Sequence, residues 1–336
     1  FLPLAGAFSL WLLPRRFVRH SVAFFMLLTL ALGCAALFAY NPAGARFQLM
    51  ERLLWIASLN IHYLLAVDGL SVLFLPATGL LFLGSLVASW NAVSDTPRFY
   101  YSLLLLLQSA TLGIFCALDT VLFFVFWELT LVPLYFLLSR WGVGCAGPQA
   151  AARYFMIMLA GGIPLLIAFV MLATSQSVPT FDLMALLAVP LPQSTQTAVF
   201  LLLLIGFGVK VPLVPLHTWL PQFSLAAPGS LTALLVGLKL GAFGLIRFAI
   251  PLAPNAAQDM HWLLAGLGTL SILYGAVGML AQTNLRLALA YASISHVGLA
   301  VLGLSSNSAQ GVQGAVSLLL GFSVATGGGF LLLEFL

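Results

Sequence analysis

Four titratable side chains stand inside otherwise apolar stretches of this sequence. They are Glu128 in 122-LFFVFWELTLVPLYFLLSRWG-142, Lys210 at the head of 210-KVPLVPLHTWLP-221, Lys239 in 237-GLKLGAFG-244 and His296 in 291-YASISHVG-298. A carboxyl, two amines and an imidazole can each take up and release a proton. A charge at the centre of a membrane helix costs roughly 2.5–3.5 kcal/mol on insertion scales, so a functional reading is the default there. An acid and a lysine on facing helices would be two proton sites whose occupancies depend on each other. The chemistry these residue types support is a proton relay. The competing reading of Glu128 is an acid paired with a lysine to lock helices together, and His296 taken alone also fits a packing role.

The elements that must position these groups follow from composition. The chain is 62% hydrophobic and only 6% charged, against about 25% charged in soluble domains. This predicts an all-α polytopic membrane protein. At about 20 apolar residues per crossing, eleven segments are expected, near 1–13 (incomplete), 21–40, 67–90, 99–118, 119–139, 152–173, 197–216, 229–250, 261–281, 286–305 and 311–336. The stretch 50–66 reads as an interfacial lead-in, with Trp55, His62 and Tyr63 at the headgroup level. Turn-rich loops fall at 91-NAVSDTP-97, 174-TSQSVP-179 and 192-PQSTQT-197. The chain starts without Met and ends in an apolar run, which reads as a piece of a longer protein.

Basic residues orient the bundle. Odd-numbered loops carry Arg15, Arg16, Arg19, Arg98, Arg140, Arg153 and Arg286, and even-numbered loops with their edges carry Arg46, Arg52 and Arg247. Seven against three places the N-terminus outside. At 1.5 Å per residue, Glu128 then lies about 13 Å into its helix, Lys210 about 20 Å into its own, and Lys239 about 15 Å from the opposite face. All three fall near the midplane of a hydrocarbon core about 30 Å thick.

Local sequence around the lysines breaks regular helix. Pro212 and Pro215 each remove a backbone donor and clash with the preceding turn, and three glycines surround Lys239 in 237-GLKLGAFG-244. Irregular backbone at membrane depth is tolerated only where it is buried in protein or lines a water-filled cavity, and discontinuous helices of this kind mark ion sites in transporters. His217, at the break, reads either as a relay member or as a cap. Ser293 and Ser295 flank His296 and offer hydroxyls to the row. Trp127 and the phenylalanines read as lipid-facing or core filler.

Other chemistries find little support. Cys34, Cys116 and Cys145 are far apart, with no CxxC or Cys/His cluster, so zinc, haem attachment and iron–sulfur ligation are not expected. The formal charge of +4 comes from scattered basic residues, not from a nucleic-acid-binding stripe.

The segments 126-FWELTLVPLYFLLSRWG-142, 210-KVPLVPLHTWLP-221, 238-LKLGAFGLIRF-248 and 274-YGAVGMLAQTNLRLALAYASISHVG-298 resemble the antiporter-like subunits of respiratory complex I (NADH:quinone oxidoreductase), most closely the NuoM type. The resemblance runs from about residue 65 to the end. It implies inverted five-helix repeats with broken helices: N-terminal helices over 1–98, a first repeat over 99–250 and an incomplete second from 261 to 336. It also implies that Glu128 and Lys210 form the regulating pair of a first half-channel, with Lys239 central and His296 in the second half. Protons would be moved in a bacterial cytoplasmic membrane. No cofactor is expected in this chain; NADH, FMN, iron–sulfur clusters and quinone would belong to partner subunits, alongside other membrane subunits of the complex. The sequence departs from the family pattern at Asn284, where an acid is usual, at Leu287, where a basic residue is usual, and at Phe322, where a histidine is frequent. The loop 222–230 also lacks the usual acid or histidine, and the second broken helix with its exit residue is expected beyond Leu336. Rival readings are an Mrp-type cation/proton antiporter, a membrane-bound hydrogenase, an inorganic-carbon uptake partner, and a membrane scaffold without transport.

Overall fold

The computed structural model describes residues 1–93 and 95–335. Ser94, in the expected 91–97 loop, and Leu336, at the end of the last expected segment, lie outside the described residues. The helices in the first half are α1 (Leu2–Ser9), α2 (Val18–Ala39), α3 (Ser71–Ala88), α4 (Pro97–Cys116), α5 (Thr120–Leu129), α6 (Leu131–Trp141) and α7 (Gly147–Thr174). Next come α8 (Leu183–Ala188), α9 (Gln193–Lys210), α10 (Trp219–Ala226), α11 (Gly229–Gly237) and α12 (Leu240–Gly244). A π-helical turn over Leu245–Ala249 leads into α13 (Ile250–Leu252) and α14 (Pro254–Asp259). The chain closes with α15 (His261–Leu280), α16 (Leu285–Ser305) and α17 (Ala309–Leu332).

Among the described residues, ten helical stretches are long and apolar enough to cross a membrane, with α5–α6 forming one and α11–α13 another. The eleventh, expected over 1–13, is the eight-residue α1. At 1.5 Å per residue its described part spans about 12 Å, and it packs against α2 and α4. The α11–α13 stretch is the most enclosed, with 89% of its apolar window buried against 22% for α2 and for α15. Lys239 therefore sits in the middle of the bundle, with the peripheral helices facing outward.

The 50–66 segment, expected as an interfacial lead-in, forms strand within this mostly helical chain. It contributes to an antiparallel hairpin of β1 (Gln48–Ile56) and β2 (Ile61–Val67), with Glu51 opposite Leu65, Leu54 opposite His62 and Ile56 opposite Ile61. Asn60 turns the chain in the left-handed region, φ 54°, a conformation asparagine tolerates better than most residues. Trp55 is on exposed β1, whereas His62 and Tyr63 are on β2, whose inner face is buried. The hairpin is tied to the head of the Glu128 helix. Leu118 N–H donates to Leu64 O at 2.9 Å, and the Asp119 carboxylate accepts His62 N–H at 2.9 Å while capping α5 through Val121 N–H and Leu122 N–H.

Candidate functional site: two helix breaks and a buried acid

Pro133 stands in the first turn of α6. Its missing N–H and its ring interrupt the ladder from α5, and the helix is broken at Thr130. The Thr130 hydroxyl donates to Trp127 O at 2.7 Å, and its side chain is fully buried. Glu128, two residues earlier, is half-buried, with Oε1 enclosed and unpartnered among the described residues. Its carboxylate rests against α7 at Gly162, where any Cβ would collide with Oε1.

Lys210 is the last residue of α9, and the chain over 211–218 is irregular. The expected break at Pro212 and Pro215 is present, and its freed backbone groups find new partners, as backbone at membrane depth requires. Leu213 N–H slips back to Gly208 O at 3.1 Å, so Val209 O takes the Trp219 indole N–H at 2.8 Å instead. Val214 N–H finds Ser271 Oγ on α15 at 3.0 Å. The buried Lys210 ammonium donates to Thr130 Oγ1 at 2.9 Å and to Trp127 O at 3.4 Å, and lies 3.9 Å from the Trp127 ring centroid. Trp127, expected as lipid-facing or core filler, is buried in the core and also contacts this lysine.

Lys239 occupies the second break, between α11 and α12, in the left-handed region at φ 53°. That conformation is uncommon for a side chain of this kind, and the glycines on either side let the backbone bend around it. Gly241 brings the two breaks together: a Cβ there would lie 2.6 Å from Val211 N. Gly241→Ala is thus expected to cost about 1–3 kcal/mol through overpacking, seen as a lower melting temperature of the purified protein; an unchanged melting temperature would contradict this packing.

Lys210, Lys239, Pro212, Thr130 and Ser293 line one cavity of about 40 Å³. That is room for a small number of waters with polar partners. Ser293 Oγ donates its proton to Leu289 O at 2.9 Å, so this lining hydroxyl is left with acceptor capacity only. The remaining candidates are elsewhere. Ser295 Oγ bonds Ile272 O at 3.2 Å in the α15–α16 contact, so it serves helix packing. His217 packs edge-on to Tyr274, ring centroids 4.6 Å apart, with Nδ1 unpartnered among the described residues. His296 lies flat on Phe322, centroids 3.7 Å apart and planes 2° from parallel. Phe322 therefore covers His296 with an apolar ring. Asn284 retains one capping role open to an acid: its Oδ1 accepts Arg286 N–H at 2.9 Å and Leu287 N–H at 3.4 Å at the start of α16.

Arg247 requires a correction. It is buried rather than at a loop edge, and pairs with Asp68 through two contacts of 2.6 Å. Removing it from the loop count leaves seven basic residues against two. Sequence reading missed Thr130, Gly162 and the Asp68–Arg247 pair. The available signals were a hydroxyl two residues after an intramembrane acid, and an arginine inside the apolar 238-LKLGAFGLIRF-248. Among the described residues, no three His, Cys, Asp or Glu side chains converge as a metal site would need.

Two broken helices that bring lysines to one enclosed cavity, beside a helix with a buried acid, define a helical membrane protein of the antiporter-like class. The chain belongs to the family described as NADH:quinone oxidoreductase/Mrp antiporter, TM, whose model matches residues 117–335. It is 35% identical over 352 aligned positions to NADH-quinone oxidoreductase subunit M of Pseudomonas aeruginosa, covering 98% of this chain and 69% of that one. It is 41% identical over 282 positions to NAD(P)H-quinone oxidoreductase chain 4 3 of Trichormus variabilis, covering 82% of this chain and 52% of the relative. The chain thus spans about half the length of some curated relatives it matches. Its fold superposes on a chain of respiratory complex I from Thermus thermophilus with bound NADH at a TM-score of 0.91 and 33% identity, covering 99% of this chain and 69% of that chain. A chain of the Mrp complex from Dietzia sp. DQ12-45-1b shares the fold at a TM-score of 0.84 and 23% identity, covering 98% of this chain and 36% of that chain.

Proposed function

We propose that this chain is part of a proton-translocating membrane subunit of NADH:quinone oxidoreductase, of the subunit M type. The observation that carries this reading is the shared cavity, where Lys210 and Lys239 face each other's space from two helix breaks. In the mechanism, the Lys210 ammonium releases its proton to water in the cavity, and Lys239 receives it. Each lysine passes through its neutral form in turn. Glu128 acts through space on Lys210 and sets when that proton leaves. His296 belongs to the onward path in the second half of the chain.

Partner subunits would hold the NADH site, FMN, iron–sulfur clusters and quinone, and other membrane subunits would flank this one. The reading places the chain in the bacterial cytoplasmic membrane with its N-terminus outside, which the balance of seven arginines against two supports. It divides the helices into a first inverted repeat over 99–250 and the beginning of a second from 261. Relatives at 35–41% identity favour the quinone oxidoreductase reading over the Mrp antiporter, whose chain is 23% identical.

The test is proton pumping by the assembled complex carrying Glu128→Ala in the full-length chain. Normal assembly with wild-type stoichiometry would overturn the proposal. Lys210→Arg adds a second check on the chemistry. Arginine cannot give up its proton in proteins, so pumping should fall by about tenfold or more, although charge is retained; wild-type pumping by this variant would rule out proton exchange at position 210.

A further inference from the structure

We propose that Thr130 and Gly162 are seats that hold Glu128 and Lys210 apart, each in its own resting place. This rests on the proton-relay reading above and concerns how that site is regulated. Among the described residues the two ion pairs within 4.0 Å are Arg52–Asp182 and Arg247–Asp68; Glu128 and Lys210 do not form one. Each instead has its own resting place.

The lysine seat has a definite polarity. Thr130 donates its only hydroxyl proton to Trp127 O at 2.7 Å, so it can offer the lysine nothing but lone pairs. The ammonium meets that oxygen at 2.9 Å, the Trp127 carbonyl at 3.4 Å and the face of the Trp127 ring at 3.9 Å from its centroid. Two acceptors and a π-face all favour the charged amine, because a ring quadrupole attracts a cation and a charged donor makes the stronger hydrogen bond. Loss of the proton weakens every one of these contacts at once. The flexible stem of the lysine then lets the amine leave the seat. A helix-end threonine bonding back to a carbonyl is common by itself; the ammonium placed on it is what that habit does not explain.

The acid seat is a matter of space. Gly162 on α7 lacks the Cβ that would collide with Glu128 Oε1, and that oxygen is enclosed there without a protein partner among the described residues. The carboxylate therefore rests in a notch cut by glycine, on the opposite helix from its own. Thr130 and Gly162 are positioning residues: they set where the proton carriers stand without exchanging protons themselves.

The experiment uses the full-length chain in its assembled complex, reconstituted in liposomes. Thr130→Val removes the acceptor at nearly constant shape, and should slow pumping by about tenfold, the scale of one hydrogen bond to a charged group. It should also move the pH profile and bring Lys210 into contact with Glu128 in the cryo-EM density. Thr130→Ser restores the acceptor and should recover roughly half of the wild-type rate or more. Gly162→Ala, which expels the carboxylate from its notch, should slow pumping in the same direction and decides the matter if Thr130→Val fails to assemble. Wild-type pumping and pH profile in Thr130→Val, or in Gly162→Ala where that variant decides, would overturn the seats. A Glu128→Ala complex that pumps normally would instead refute the relay itself; an inactive Glu128→Ala beside an unaffected Thr130→Val refutes the seats alone.

Discussion

Glu128→Ala in the assembled complex is expected to reduce proton pumping by about tenfold or more, at least 1.4 kcal/mol of barrier, while the complex still assembles. The carboxylate makes no hydrogen bond in the described structure, so little packing is lost with it. What disappears is the acid two residues before Thr130, the hydroxyl on which Lys210 rests. Without it, the lysine has the Thr130 and Trp127 contacts and no acid to answer its change of protonation. Glu128→Gln separates the two contributions, because it preserves size and polarity but cannot carry the charge. An equal loss in the glutamine variant is the expected result. Recovery of pumping by glutamine would mean that the side chain fills space and that a different group regulates Lys210.

Asp68→Ala is expected to destabilise the protein by about 3–5 kcal/mol, the scale for removing one partner of a buried ion pair. Arg247 is 4% exposed and Asp68 6%, and the carboxylate accepts from both guanidinium nitrogens that face it. Removing the acid leaves the guanidinium buried beside the Phe243 ring, with no other acid within salt-bridge distance among the described residues. Thermal unfolding in detergent reads the loss. Adding Arg247→Met should return most of it, since replacing a buried pair with apolar side chains is often close to neutral. A melting temperature unchanged by Asp68→Ala would show that the pair carries no net stability. The same contact has a pH signature. Burial pushes the Asp68 carboxyl upward, but the Arg247 hydrogen bond and charge outweigh it and hold the group below its ordinary value of 3.8. A depressed acid contributes stability that is present above its unfolded pKa and lost as pH falls through its folded one. The contribution of this pair is therefore intact at neutral pH and disappears only below about 3.8.

Much of the membrane bundle was legible because a bilayer leaves the chain few options. Each crossing needs its own internally bonded run of apolar residues, so run length alone located ten of the eleven expected segments. The prolines after Lys210 and the glycines around Lys239 announced the two breaks by removing donors and side chains at fixed positions. The β-hairpin escaped notice because strand pairing joins residues distant in sequence, and β1 is exposed on nearly its whole length, which erases the alternation that marks a half-buried strand. Arg247 was misplaced for a related reason. A basic residue near a helix end reads as a topology signal, and its partner is 179 residues away.

At the site itself, residue type sets which groups can titrate, and helical rise sets the depth expected of each along its own helix. That count predicts one membrane level for Glu128, Lys210 and Lys239. Only the tertiary structure decided which of them meet. Lys210 and Lys239 reach one cavity because Gly241 lets the second break lie against Val211. Lys210 rests on Thr130 and Trp127 rather than on Glu128, and Phe322 covers His296. Those outcomes depend on rotamers and on contacts between helices far apart in the chain. Depth follows from counting along one helix, whereas contact depends on how neighbouring helices are turned toward each other.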